Sequence, residues 1–194
     1  ADMLPDEIDP MVRMVVLSHH ENQDGSGYPN GLPGNKVNIF SRIIRIADAY
    51  SAAISDKVYQ KAKPASLVLY EMLYGKYNKC YDPVVLKVFS NIVQPFPIGA
   101  KLKLNNGKWA VVVRHNKNDL FSPAVIIAFD ELGDPVPKDM LEKPFPLGLD
   151  LSTSIQSFGN QDMTFLNDPA TKSVPSPDDR ENKPEKPVYS DLFE

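Results

Sequence analysis

Apolar positions recur at helical spacing through the first half of the chain and change to alternation after Pro97, which predicts a helical region followed by a β module. Asp9-Pro10 reads as an N-cap with a proline in the first helical position. Met11, Met14 and Val15 carry the apolar spacing on to Ser18-His19-His20. A second helix is predicted over 39–55, a third over 64–74 with Gly75 as its C-terminal cap, and a fourth from Asp82-Pro83. Val84, Val85, Val88, Phe89 and Ile92 form the expected buried face of that last helix, and Gln94-Pro95-Phe96-Pro97 ends it. Beyond it, strands are predicted over 100–104 and 108–114 around the hairpin signal Asn105-Asn106-Gly107, with a third over 124–129. From residue 159 the chain is charged and rich in proline (Pro169, Pro175, Pro177, Pro184, Pro187), with too little periodic apolar content to offset the entropy of ordering. The expected fold is therefore multidomain α and β: an all-helical region over 1–94, a small β module over 95–158, and a disordered tail over 159–194. Tyr189, Leu192 and Phe193 at its end read as part of a solvated terminus in preference to a docking motif.

Composition narrows the picture. With 194 residues and 42% hydrophobic content the chain can bury one moderate core and a small second module. A net charge of -4 gives no general attraction to nucleic acid, so neither DNA nor RNA is expected as a partner. No apolar run approaches the roughly 20 residues that cross a bilayer, and the start resembles no signal peptide, so a cytoplasmic location is expected. Cys80, the single cysteine, excludes an intrachain disulfide and reads as structural. The chain opens without Met and enters a helical pattern almost at once, which leads to the expectation that part of a larger protein precedes it.

The densest chemistry lies in His19-His20-Glu21-Asn22-Gln23-Asp24-Gly25-Ser26-Gly27-Tyr28-Pro29-Asn30-Gly31-Leu32-Pro33-Gly34. Adjacent helical residues point about 100° apart, so the two imidazoles are expected to hold different ions of a bridged centre rather than chelate one. The glycines allow backbone to approach a ligand closely. Asp48 lies among residues that favour burial, and a buried carboxylate requires compensation: an i, i+3 pair with Arg45, or a metal. Two imidazoles and a carboxylate suit iron, manganese or zinc. Lys57, Lys61 and Lys63 cluster after the second helix, as a solvated connection or as phosphate contacts. His115 reads as a solvated turn residue, and Trp109 as part of the core of the β module.

The run HHENQDGSGYPNGLPG followed by SRIIRIADAY resembles the HD-GYP subgroup of the HD phosphohydrolase superfamily, with weaker similarity through Tyr59-Gln60-Lys61 and Tyr81-Asp82-Pro83-Val84-Val85. The resemblance covers roughly residues 1–94. It implies the C-terminal part of a helical domain of bacterial signal transduction that hydrolyses cyclic di-GMP at a centre of two or three divalent ions, iron or manganese ahead of zinc. His19, His20 and Asp48 would be metal ligands, Gly27, Tyr28 and Pro29 would line the nucleotide site, and Arg42 and Lys61 would position the ligand. The His-Asp pair, a further histidine and a lysine of the family would precede residue 1, so this chain is expected to hold half a site. Ser51 stands where the family usually has aspartate, and Gln60 where a basic residue is common, which implies weaker substrate affinity. Two alternatives stay open beside the phosphodiesterase: a degenerate domain that binds nucleotide, or a signalling protein through the glycine loop, without turnover; and a hydrolase of another phosphorylated nucleotide.

Overall fold

A computed structural model describes residues 8–56, 62–148 and 152–167. Helix α1 (Pro10–Ser18) starts where the Asp9 carboxylate accepts a hydrogen bond from the Met11 amide at 2.7 Å. Helix α2 (Ile39–Ile54) is capped in the same way by Asn38, and α4 (Pro83–Ile92) by Asp82, which accepts from the amides of both Val84 and Val85. Each cap satisfies amides that have no partner within the helix. Helix α3 (Ala65–Tyr74) ends at Gly75, whose φ of -77° is ordinary. Glycine is required there because a Cβ would collide with the Glu71 carbonyl, which accepts the Gly75 amide.

Six antiparallel strands follow among the described residues: β1 (Lys101–Leu104), β2 (Trp109–Arg114), β3 (Ala124–Phe129), β4 (Phe145–Pro146), β5 (Ile155–Phe158) and β6 (Gln161–Asp162), in the spatial order β4-β3-β2-β1-β5-β6. Gly107 closes the β1–β2 hairpin at a φ of 83°, with the Leu104 amide donating to Lys108 across the turn.

Helices and sheet share one core. Ile46 of α2, Leu69 and Met72 of α3 and Leu86 of α4 belong to the same buried cluster as Leu102, Val112 and Val125 of the sheet. The Ser66 hydroxyl of α3 lies 3.4 Å from Gln161 and 3.5 Å from the sulfur of Met163, and Tyr70 packs edge-on against Phe121 and Phe165. The β module is thus one face of the hydrophobic core that also holds α3.

Several expectations change here. The tail does not begin at residue 159: residues 159–167 complete the β5–β6 hairpin and a short 3-10 turn, because Met163 finds a fully buried place under α3. Residues 168–194, with Tyr189, Leu192 and Phe193, lie outside the described residues. The buried stripe of α4 is rotated from the predicted one. Leu86 and Ser90 are buried and Phe89 meets Tyr50 edge-on, whereas Val84, Val88 and Ile92 are exposed. Apolar residues on both sides of this helix left its inward face ambiguous, and contact with α2 resolved it. Trp109 is half-buried on the outer face of the sheet, below the ammonium groups of Lys101 and Lys103. His115 is half-buried rather than solvated, and its Nε2 donates to the Phe96 carbonyl at 3.1 Å, tying the end of β2 to the segment after α4.

Candidate functional site

Helix α1 stops at Ser18, whose hydroxyl lies 2.9 Å from that of buried Ser41 on α2. His19 is the C-cap and His20 sits in the following turn, so the helical separation of about 100° no longer applies. The two rings lie with centroids 4.0 Å apart instead of diverging. His19 Nδ1 is 2.7 Å from the Val16 carbonyl. A carbonyl can only accept, so Nδ1 donates there, which in the neutral ring leaves the Nε2 lone pair for a metal ion. The Tyr28 ring stacks on His20 at 4.7 Å and is 61% exposed, which leaves its other face open.

The loop that carries Tyr28 is held by a residue with no assigned part in the sequence reading. Glu21 is only 2% exposed, and its two carboxylate oxygens accept from the amides of Asn30 at 2.7 Å and Leu32 at 3.0 Å. The only sequence signal was its place directly after the histidine pair; its amide partners are nine and eleven residues away and are met only when the loop folds back. Gly27 is equally constrained, since a Cβ there would run into the backbone of His20, Glu21 and Asn22. Asp24 accepts from the hydroxyl and amide of Ser26, and these bonds hold its carboxyl below the usual range. Cys80 supports the loop through its carbonyl, which accepts the Gln23 amide at 3.0 Å.

Helix α2 contributes Asp48, which is exposed rather than buried. It forms no hydrogen bond or ion pair among the described residues, and Arg45 does not pair with it. The compensation expected for a buried carboxylate is therefore not needed. Asp48 still acts on His20 electrostatically. Partial burial, then the neighbouring His19 and also Arg45, lower the His20 pKa from its ordinary value, and Asp48 acts in the opposite sense. Among the described residues no three His, Cys, Asp or Glu side chains converge closely enough to hold a metal ion. The donors fit a divalent ion in kind but do not form a complete shell.

Arg42 and Arg45, one turn apart on α2, have different surroundings. Arg42 donates to the Asp82 carboxylate at 2.6 Å and to the Val37 carbonyl at 2.9 Å, with its side chain 14% exposed. It joins α2 to the cap of α4. Arg45 donates through Nε to Asn22 on the glycine loop at 2.9 Å and lies 5.5 Å from the centre of the Tyr81 ring. Lys63 pairs with Glu71 on α3, both side chains being exposed; Lys57 and Lys61 lie outside the described residues.

Residues 3–85 match the family described as HD domain. A cyclic di-GMP phosphodiesterase of Pseudomonas aeruginosa is 32% identical over 137 residues, covering 70% of this chain and 33% of that protein. A cyclic di-GMP phosphodiesterase of Borreliella burgdorferi is 37% identical over 100 residues, 52% of this chain and 26% of that protein. A 3'3'-cGAMP-specific phosphodiesterase of Vibrio cholerae is 49% identical over 43 residues, 22% of this chain and 10% of its own length. Over its helical region the chain is therefore similar to the HD-domain family. It spans about a third or less of these relatives. The match to the Pseudomonas protein, at 70% of the chain, is longer than residues 1–94 and so extends into the β module. No described helix is long and apolar enough to cross a membrane.

Proposed function

We infer that the chain contributes part of a phosphodiesterase site of the HD-GYP kind, whose substrate is a cyclic dinucleotide, cyclic di-GMP foremost. The observation that carries this reading is the arrangement at the end of α1: a close imidazole pair, a carboxylate acting on it from α2, and an exposed aromatic ring stacked on the second imidazole. The open face of Tyr28 suits a nucleobase, with Gly27 and Pro29 setting where the ring stands. The imidazole pair and Asp48 are the donors for divalent ions, iron or manganese ahead of zinc, whose shell needs donors beyond these three. An ion held there would neutralise a phosphodiester oxygen and acidify the attacking water. The part played by this chain is positional. The His19 tautomer is set by Val16, and the Tyr28 loop is held by Glu21. Lys61 is retained as a ligand contact, while the bond from Arg42 to Asp82 moves that residue to a supporting role.

The test is hydrolysis of cyclic di-GMP, and of 3'3'-cGAMP beside it, by the metal-loaded protein with its complete set of donors, with products separated by chromatography. His20→Ala and Asp48→Ala should abolish turnover, and Tyr28→Ala should mainly weaken binding. Undiminished turnover in the Asp48 variant would exclude the metal role given to it. A second reading is a receptor that binds the dinucleotide without cleaving it. Tight binding with no product from the metal-loaded protein would select it. Cleavage of a different phosphorylated nucleotide in preference to both cyclic dinucleotides would select the third.

A further inference from the structure

We propose that Arg45 is the anion anchor of this site, the side chain that grips a phosphate oxygen of the ligand in the role the sequence pattern suggested for Arg42. The proposal rests on the reading of the site given above and adds the residue that takes the charge of the ligand. Of the two α2 arginines, Arg42 is already committed to Asp82 and Val37. Arg45 is held by its stem and not by its tip. Nε donates to Asn22 Oδ1 and the guanidinium lies over the Tyr81 ring, while the two terminal nitrogens have no hydrogen-bond partner among the described residues. A guanidinium fixed through Nε and one ring face keeps its fork free for two parallel bonds to a phosphate.

Its position also favours this role. Arg45 is one turn before Asp48 on the same helix, and its bond to Asn22 sets it against the loop that leaves His20 and bears Tyr28. Asn22 links it to the loop, since the same side-chain amide donates to Ser26, which in turn donates to Asp24. A base on Tyr28 and a phosphate on Arg45 would therefore be read by groups joined through one hydrogen-bonded loop.

Two probes, inorganic pyrophosphate and cyclic di-GMP, are titrated calorimetrically into the wild-type chain, Arg45→Gln and Arg45→Lys, with thermal melts of each. Glutamine keeps an amide donor for Asn22 but removes the charge. It should weaken pyrophosphate binding on the order of tenfold or more at an unchanged melting temperature, with lysine recovering part of the loss. In the wild-type protein, the ¹⁵N guanidinium signals of Arg45 should shift as pyrophosphate is added, a readout that needs no variant to fold. Pyrophosphate affinity that is the same in wild type and Arg45→Gln, or undetectable in both, with unmoved Arg45 signals, overturns the anchor. Arg45-dependent pyrophosphate binding, with no binding of cyclic di-GMP even by the metal-loaded protein with its complete set of donors, keeps the anchor and instead defeats the cyclic dinucleotide reading.

Discussion

Removing the Glu21 carboxylate perturbs the site at one defined point. The side chain is almost fully buried, and each of its oxygens accepts one backbone amide from the far side of the glycine loop. Hydrogen bonds to a charged acceptor contribute about 1.5–3 kcal/mol each, so Glu21→Ala forfeits about 3–6 kcal/mol before relaxation. Asn30 is exposed and its freed amide can turn to water, while Leu32 is half-buried and has less access to it. The expected net loss is therefore about 2–4 kcal/mol, and about 1–3 for Glu21→Gln, which keeps one acceptor but sets an NH₂ group against a backbone N–H. Urea denaturation followed by circular dichroism measures the global term. Hydrogen exchange at the Asn30 and Leu32 amides measures the local one, and both should lose protection well beyond the change at core amides such as Leu69. A Glu21→Ala protein within about 0.5 kcal/mol of wild type, with those two amides still protected, would show that the loop is held by something else.

Breaking the ion pair between α2 and α4 with Arg42→Gln should cost about 2–4 kcal/mol, since it leaves a nearly buried Asp82 carboxylate short of its cation; Asp82→Ala should cost more because the helix cap goes with it, and equal melts for the two would refute the separate cap contribution. Gly27→Ala should displace the loop and remove the stacking of Tyr28 on His20, read as a change in the ring-current shifts of the His20 protons; unchanged shifts would contradict the steric account. Burial, with Asp119 and Tyr70 adding to it, holds the Tyr74 hydroxyl up at about 12, so the folded state favours the neutral phenol. Its contribution is complete below the unfolded value of about 10 and is lost as pH rises from there through about 12, giving a fall in stability that Tyr74→Phe should flatten in urea melts across that range. The described residues supply no complete metal shell, so dialysed protein should hold well under one equivalent of iron, manganese or zinc by elemental analysis; tightly held stoichiometric metal would mean that the shell closes within this chain.

Local chemistry made much of this molecule legible from the chain alone. Asp9, Asp82 and the prolines after them marked two helix starts because a cap is a contact between near neighbours, and Asn105-Asn106-Gly107 marked its hairpin because a positive φ in a short loop calls for glycine. His19, His20, Gly27 and Tyr28 stood out for the same reason, being contained in one short run, but the close approach of the two imidazoles and the stacking of Tyr28 on His20 did not. What lay beyond sequence depended on which surfaces meet. The inward face of α4 and the order given to residues 159–167 by Met163 under α3 were decided by packing between elements distant in the chain. The exposure of Asp48 was decided in the same way. So was the division of labour between Arg42 and Arg45: two arginines three residues apart look alike as sequence, and only the fold sets Asp82 against one and Asn22 with Tyr81 against the other.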